Sequence, residues 1–156
     1  MRIENRDLAA IVLCLILIGA EIAVILWPYF EGIPFETIDK GRTSSIETKA
    51  EYVIIEQQDW EMLWIEHHYY SEEVPELPFV NFTTDMIIAV FQGLSGASDE
   101  ITIRRIVFSE THFVVHVDEK DVVSPLMMIT WPYHIVKISG YPQDIPVEFE
   151  YRIITG

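Results

Sequence analysis

Cysteine is nearly absent from this chain: of its 156 residues only Cys14 carries a thiol. That residue sits inside an apolar run, so residues 31–156 hold no disulfide and no thiolate metal site. Basic residues are scarce as well. Ten Lys and Arg stand against twenty-five Asp and Glu, a formal net charge of −15, and all but one unit of it falls after residue 30. Phosphate binding needs a basic footprint, so nucleic acid is not an expected partner, and anionic lipid headgroups are disfavoured for the same reason. An acidic surface suits solubility in a salty exterior and attracts basic protein surfaces. Catalytic signatures are missing too. There is no H-E-x-x-H, no G-x-S-x-G, no P-loop and no dinucleotide fingerprint. Gly93–Gly96 is too short, and too far from a helix start, to cradle a phosphate. The expectation is a protein without catalysis of its own and without a cofactor.

What the chain does have is one long apolar run, Leu8–Phe30, LAAIVLCLILIGAEIAVILWPYF. Between Leu8 and Trp27 the only charged side chain is Glu21. A helix over that stretch spans roughly 30 Å, the thickness of a bilayer's hydrocarbon core. Residues 1–30 therefore read as an N-terminal membrane anchor. Arg2 and Arg6 precede it, while Glu31, Glu36 and Asp39 follow, which places the N-terminus in the cytoplasm and the rest outside the cell. Trp27 and Tyr29 suit an interfacial belt, and Pro28 a helix stop. A cleaved signal peptide competes, with Leu8–Ile18 as its apolar core and Gly19-Ala20 as its small-residue end. The apolar run resuming at Ile22 favours the retained anchor. Glu21 either contacts another membrane helix or is a carboxyl that is protonated or reaches the outer interface.

Residues 31–50 are polar and carry Gly32, Pro34, Gly41 and the Thr43-Ser44-Ser45 run, so they read as a linker. Residues 51–156 read as the exported domain, long enough for one core without covalent staples. Glu51–Glu56 is a short strand candidate. Trp60, Leu63, Trp64 and His67 recur at helical spacing within Gln57–His68. Tyr69–Phe82, with Pro75 and Pro78, reads as a loop. Met86–Gln92 is a continuous apolar run of strand length, expected to be buried on both faces. Glu100–Phe108 alternates, with a phase slip at Arg104-Arg105 that predicts a bulge. Thr111–Asp118 and Val147–Ile153 alternate cleanly. Met127–Ile138 is a strand region interrupted by Pro132, which argues for an edge strand or a bulge. The fold class is α+β: the transmembrane helix, then a mostly antiparallel domain of about six strands with one helix.

Trp60-Glu-Met-Leu-Trp64, Val80-Asn-Phe82, Met86-Ile-Ile-Ala-Val-Phe-Gln-Gly93, Ile101-Thr-Ile103, His112–Val117 and Thr130-Trp-Pro-Tyr-His-Ile-Val136 occur here in an order that resembles the PrcB C-terminal domain family. The resemblance covers roughly residues 51–150. It implies an exported or membrane-attached domain, similar to a non-catalytic stabilising subunit of a cell-surface protease complex. The family's Thr-Gly-Gly-Tyr stretch is replaced here by Ser95-Gly-Ala-Ser-Asp-Glu100, one residue shorter and without the tyrosine.

Candidate sites are few. His67-His68 and the set His112, His116, Asp118 carry metal-ligand chemistry. On one strand His112 and His116 stand about 13 Å apart, too far to share an ion, whereas His116 and Asp118 at about 7 Å suit one if another strand helps, for instance through His134. A solvated polar face is the plainer explanation, and no metal is expected. Tyr69, Tyr70, Trp131, Tyr133 and Tyr141 are aromatics of the kind enriched at interfaces. Asn81-Phe82-Thr83 is a glycosylation sequon. The expected partner face joins Trp131 and Tyr133, on an edge strand that a partner can extend, to the loop of Gly93, Ser95, Gly96 and Ser98. The reading is a single-pass, membrane-anchored exported domain that binds a protein partner in the cell envelope, possessing no nucleic-acid function. Alternatives are a metal- or small-ligand-binding domain, or a filament subunit with the apolar helix in a fibre core. Protease added to intact cells, after any outer layer is opened, is expected to remove residues 51–156. Protection of that domain would reverse the orientation, and release of the full-length protein by carbonate would rule out an integral anchor.

Overall fold

The apolar run after Asp85 becomes strand β3 (Asp85–Phe91), and it is buried on both faces. Met86, Ile88 and Val90 enter one hydrophobic cluster, and Ile87, Ala89 and Phe91 enter another. The computed structural model describes residues 32–109, 111–122 and 128–155. The expected anchor at residues 8–30, including Glu21, lies outside them. Among the described residues no helix is long and apolar enough to cross a membrane.

Residues Ile33–Gly156 form one compact unit of nine strands and one helix among the described residues. The strands besides β3 are β1 (Glu36–Gly41), β2 (Ala50–Ile54), β4 (Ser95–Gly96), β5 (Glu100–Ser109), β6 (His112–Asp121), β7 (Ile129–Thr130), β8 (Tyr133–Ser139) and β9 (Val147–Thr155). Helix α1 spans Gln57–His67. A four-stranded sheet has the order β1-β8-β3-β2, a three-stranded sheet β5-β6-β9, and β4 pairs with β7 as a short ribbon. Every ladder is antiparallel except β6–β9. That pair is parallel because β9 is reached through β8 in the other sheet, and a long crossover permits what a hairpin does not.

The result is three layers: α1, the four-stranded sheet, and the three-stranded sheet. Trp60, Leu63 and Trp64 pack on the β3 face that carries Ile87, Ala89 and Phe91. Each indole also needs a partner for its N–H. Trp60 Nε1 donates to the Pro78 carbonyl and Trp64 Nε1 to the Pro75 carbonyl, each at 3.0 Å, so the proline loop is fastened over the helix. On the other side Ile101, Ile103 and Ile106 of β5 join Phe113, Val115 and Val117 of β6 against Met86, Ile88 and Val90. The expected bulge is present. Ile103 pairs with Val117 and Arg105 with His116, leaving Arg104 unmatched and returning Ile106 to the core.

Two expectations need correction. Residues 32–50 of the expected 31–50 linker are part of the fold. Ile33 and Ile46 are core residues, the Ile33 N–H donates to the Ile106 carbonyl at 2.7 Å, and β1 is laddered to β8. The polar residues between them find partners within the fold: the Ser45 N–H donates to the His67 carbonyl and the Leu94 N–H to the Glu47 carbonyl, at 2.9 and 3.1 Å. Thr130–Val136 is not one edge strand: Thr130 ends β7 of the two-stranded ribbon, and Tyr133–Val136 belongs to β8 inside the four-stranded sheet. Pro132 lies in the gap between β7 and β8, where its missing N–H interrupts no ladder, and β8 runs between β1 and β3.

One buried side chain fastens the two sheets at the bulge. The Ile103 N–H donates to His134 Nδ1 at 2.9 Å, and His134 Nε2 lies 2.9 Å from Thr37 Oγ1. A nitrogen that accepts an N–H carries no proton, so the ring proton sits on Nε2 and points to Thr37. Burial, reinforced by the charge of Lys40, holds the His134 pKa down to about 4. In the unfolded chain the same ring titrates near pH 6.5. Between those values the unfolded state binds the extra proton, so stability falls as pH falls; the contribution is complete above about pH 6.5 and disappears as pH approaches 4. Its size is on the order of 3 kcal/mol. Denaturant unfolding at neutral and mildly acidic pH is expected to show a shallower pH dependence for His134→Gln than for the wild type. Parallel slopes would mean that His134 titrates normally in the fold.

Candidate functional site

The Gly93–Ser98 segment is a fastened ribbon. Gly93 has φ +78°, and a Cβ there would meet Lys49 N at 2.7 Å and the Thr48 carbonyl carbon at 2.9 Å. It is glycine because the backbone of residues 48–49 crosses it. Asp99 is buried beneath the ribbon, its Oδ2 accepting from the Gly96 N–H at 2.7 Å and its Oδ1 from the Val122 N–H at 3.0 Å. The Thr130 hydroxyl donates to the Gly96 carbonyl and an Arg42 guanidinium N–H to the Ala97 carbonyl, at 2.7 and 3.0 Å.

This ribbon forms one wall of a groove of about 660 Å³. Leu94, Ser95 and Gly96 line it on one side, Met128 and Ile129 on a second, and Ile153 of β9 on a third. Leu94, Met128, Ile129 and Ile153 are each more than half exposed, at 66%, 59%, 57% and 67%. Gln92 also lines the groove, and its Oε1 accepts no hydrogen bond from the described residues. Asp121 supplies an exposed acid at the rim. Of the contact residues expected from sequence, Ser95 and Gly96 line this groove. Gly93 is a backbone crossing point, while Trp131 and Ser98 are half-buried beside the groove. Tyr133 is a correction: at 7% exposure it belongs to the core, stacked on Phe91 and meeting His67 edge-on.

A second constellation gathers at the C-terminal end of α1, where Asp39 of β1 meets His67 and His68. Asp39 Oδ2 lies 3.4 Å from His67 Nε2 and 3.8 Å from His68 Nε2. The Tyr133 hydroxyl donates to the same oxygen at 3.1 Å. Burial raises the Asp39 pKa, but the hydrogen bonds from His67 and Tyr133 outweigh it and hold the carboxyl below its usual range. Tyr133 is pushed far up by burial and by that carboxylate, so it stays a hydroxyl donor. On its other side, His67 Nδ1 is 2.9 Å from Ser44 Oγ, which also accepts the Ile46 N–H at 3.0 Å. The order Ser44–His67–Asp39 superficially suits nucleophilic catalysis, but Ser44 is 5% exposed, so a substrate has no approach to its hydroxyl. His68 Nδ1 lies 3.0 Å from the Trp64 carbonyl. Burial lowers the His68 pKa.

The remaining expected sites serve other contacts. Asp118 is gripped by Arg152 through two bonds of 3.0 and 2.7 Å and approached by Arg104 at 3.4 Å. His116 faces Glu150 and His112 faces Glu148 across the parallel ladder. Tyr69 and Tyr70 are exposed and, with Met62 and Ile65 of α1, line a shallow concavity of about 370 Å³. Asn81 is exposed at a turn, its Oδ1 accepting the Thr83 N–H at 3.2 Å. Asp39 and Ser44 are the residues that sequence reading missed, because they lie in the stretch taken for a linker. Comparison with family models, curated proteins and solved structures finds no match to this chain.

Proposed function

We propose that this chain is a membrane-anchored, exported, non-catalytic module that holds a protein partner in the groove beside the β4–β7 ribbon. The observation that carries the reading is the groove itself. Leu94, Met128, Ile129 and Ile153 expose apolar side chains around one concavity of about 660 Å³ whose ribbon wall is held by hydrogen bonds from the Asp99 and Thr130 side chains to the Gly96 backbone. Contiguous exposed apolar surface rimmed by polar groups marks interaction sites. A prefixed wall lowers the ordering cost of binding. The occupant is a protein segment that inserts an apolar side chain and carries basic residues alongside it. The exposed Asp121 and the net charge of −15 attract such a segment and make its association weaken with salt. The apolar run at residues 8–30 supports the anchor, and the resemblance to the PrcB C-terminal domain family supports an envelope complex as the setting.

A photo-crosslinking residue at position 129 of the full chain, expressed in cells, is expected to trap a discrete protein adduct. The same residue at position 62, on the far concavity, should not trap it. Leu94→Asp should abolish the adduct while leaving stability within about 0.5 kcal/mol, because Leu94 is an exposed position. Binding should weaken by at least about thirtyfold if Leu94 is an anchor worth about 2 kcal/mol. An undiminished adduct in the folded Leu94→Asp variant would place the interface elsewhere.

A further inference from the structure

We infer that Asp39, His67 and His68 form a binding site for one divalent cation of the zinc class. Three ligand atoms converge: Asp39 Oδ2 and the ring nitrogens of the two histidines lie within 4.8 Å of one another. In a tetrahedral site with bonds of about 2.0–2.1 Å, ligand atoms stand about 3.4 Å apart. The separations of 3.4 Å from Asp39 Oδ2 to His67 Nε2 and 3.8 Å to His68 Nε2 match that edge to within a few tenths of an ångström. As a hydrogen bond, 3.4 Å is long, since N–H···O bonds cluster between about 2.7 and 3.2 Å.

The partners behind the ligands argue the same way. A carbonyl can only accept, so the 3.0 Å contact between His68 Nδ1 and the Trp64 carbonyl places the ring proton on Nδ1. In the neutral ring Nε2 is then a bare lone pair, and it faces a carboxylate oxygen 3.8 Å away. Two acceptors facing each other repel; a cation between them turns the arrangement into an attraction. His67 is braced by a different group. In the ion-free fold its Nε2 proton points to Asp39; an ion displaces that proton, and the ring proton then sits on Nδ1, where Ser44 Oγ, which also accepts the Ile46 N–H, can accept it on its second lone pair. Metal-bound histidines ordinarily donate their far ring N–H to such a carbonyl or oxygen. The C-terminal end of α1, where both histidines sit, carries the negative end of the helix dipole. Two imidazoles and a single carboxylate select zinc-like ions over calcium or magnesium, which demand more oxygen. The side chains of His68 and Asp39 are 11% and 27% exposed, so the ion has an entry path and water can complete its coordination.

The test is titration of the full chain, purified metal-free, with zinc against a chromophoric competitor, with cobalt(II) as a spectroscopic reporter. One equivalent should bind, the melting temperature should rise, and cobalt should give the visible absorption of a four-coordinate ion. His68→Ala alters a residue at the surface end of the cluster and is expected to fold. Both it and Asp39→Asn should weaken zinc by more than about a hundredfold, and Ser44→Ala by about tenfold, as loss of a bracing partner does. His116→Ala, on the other sheet, should leave binding unchanged. Absence of a one-equivalent site, or a site retained in folded His68→Ala and lost in His116→Ala, would overturn the assignment. Magnesium or calcium binding as tightly as zinc at this site would also overturn it.

Discussion

Burial of β3 on both faces is the constraint on which the rest of this domain depends. Its even-numbered residues, Met86, Ile88 and Val90, form the floor for the three-stranded sheet, and its odd-numbered residues, Ile87, Ala89 and Phe91, form the floor for α1. The five of these side chains other than Ala89 each contribute about 1.5–3 kcal/mol by removing apolar surface from water. Neither outer layer has a core without that strand. Because a one-residue slip would exchange the two faces, the register of β3 with β2 and β8 fixes the position of both layers together.

The same strand organises the candidate sites. Phe91 ends β3 and stacks near Tyr133, whose hydroxyl reaches Asp39, which in turn faces the two histidines closing α1. One residue further, Gln92 lines the groove, and Gly93 lets the backbone of residues 48–49 cross before the ribbon begins. The groove and the histidine cluster are therefore built from the same end of β3. Residues 42–49 run between them: Ser44 braces His67, while Lys49 pairs with Glu119 at 2.5 Å in the three-stranded sheet and sits over the Tyr151 ring.

Features encoded by local periodicity were legible in the sequence. The 3–4 spacing of Trp60, Leu63, Trp64 and His67 marked α1, the unbroken apolar run marked β3, and the phase slip at Arg104-Arg105 marked the bulge. Features encoded by distant satisfaction of polar groups were not. Residues 33–50 contain few apolar residues, and their burial rests on Ile33, Ile46 and backbone bonds to residues dozens of positions away. Pro132 was legible as a break, but whether a break marks an edge depends on which strand arrives alongside, and β1 came from the segment read as linker. The groove was half legible: Ser95 and Gly96 stood in a recognisable loop, whereas Ile129 and Ile153 reach it from separate strands. In the cation site the histidine pair was visible, and the third ligand, 28 residues before His67, was not.

Native-state amide hydrogen exchange on the full chain tests the central role of β3 most directly. If both layers depend on it, the amides of β3 and of the β8 strand paired to it exchange only through global unfolding, with opening free energies equal to the stability of the whole domain. The outer strands β1 and β9 exchange through smaller, local openings. Exchange of β3 amides through a local opening, at a free energy below that of β9, would contradict the account, because the three-stranded sheet would then stand without the strand on which it is packed.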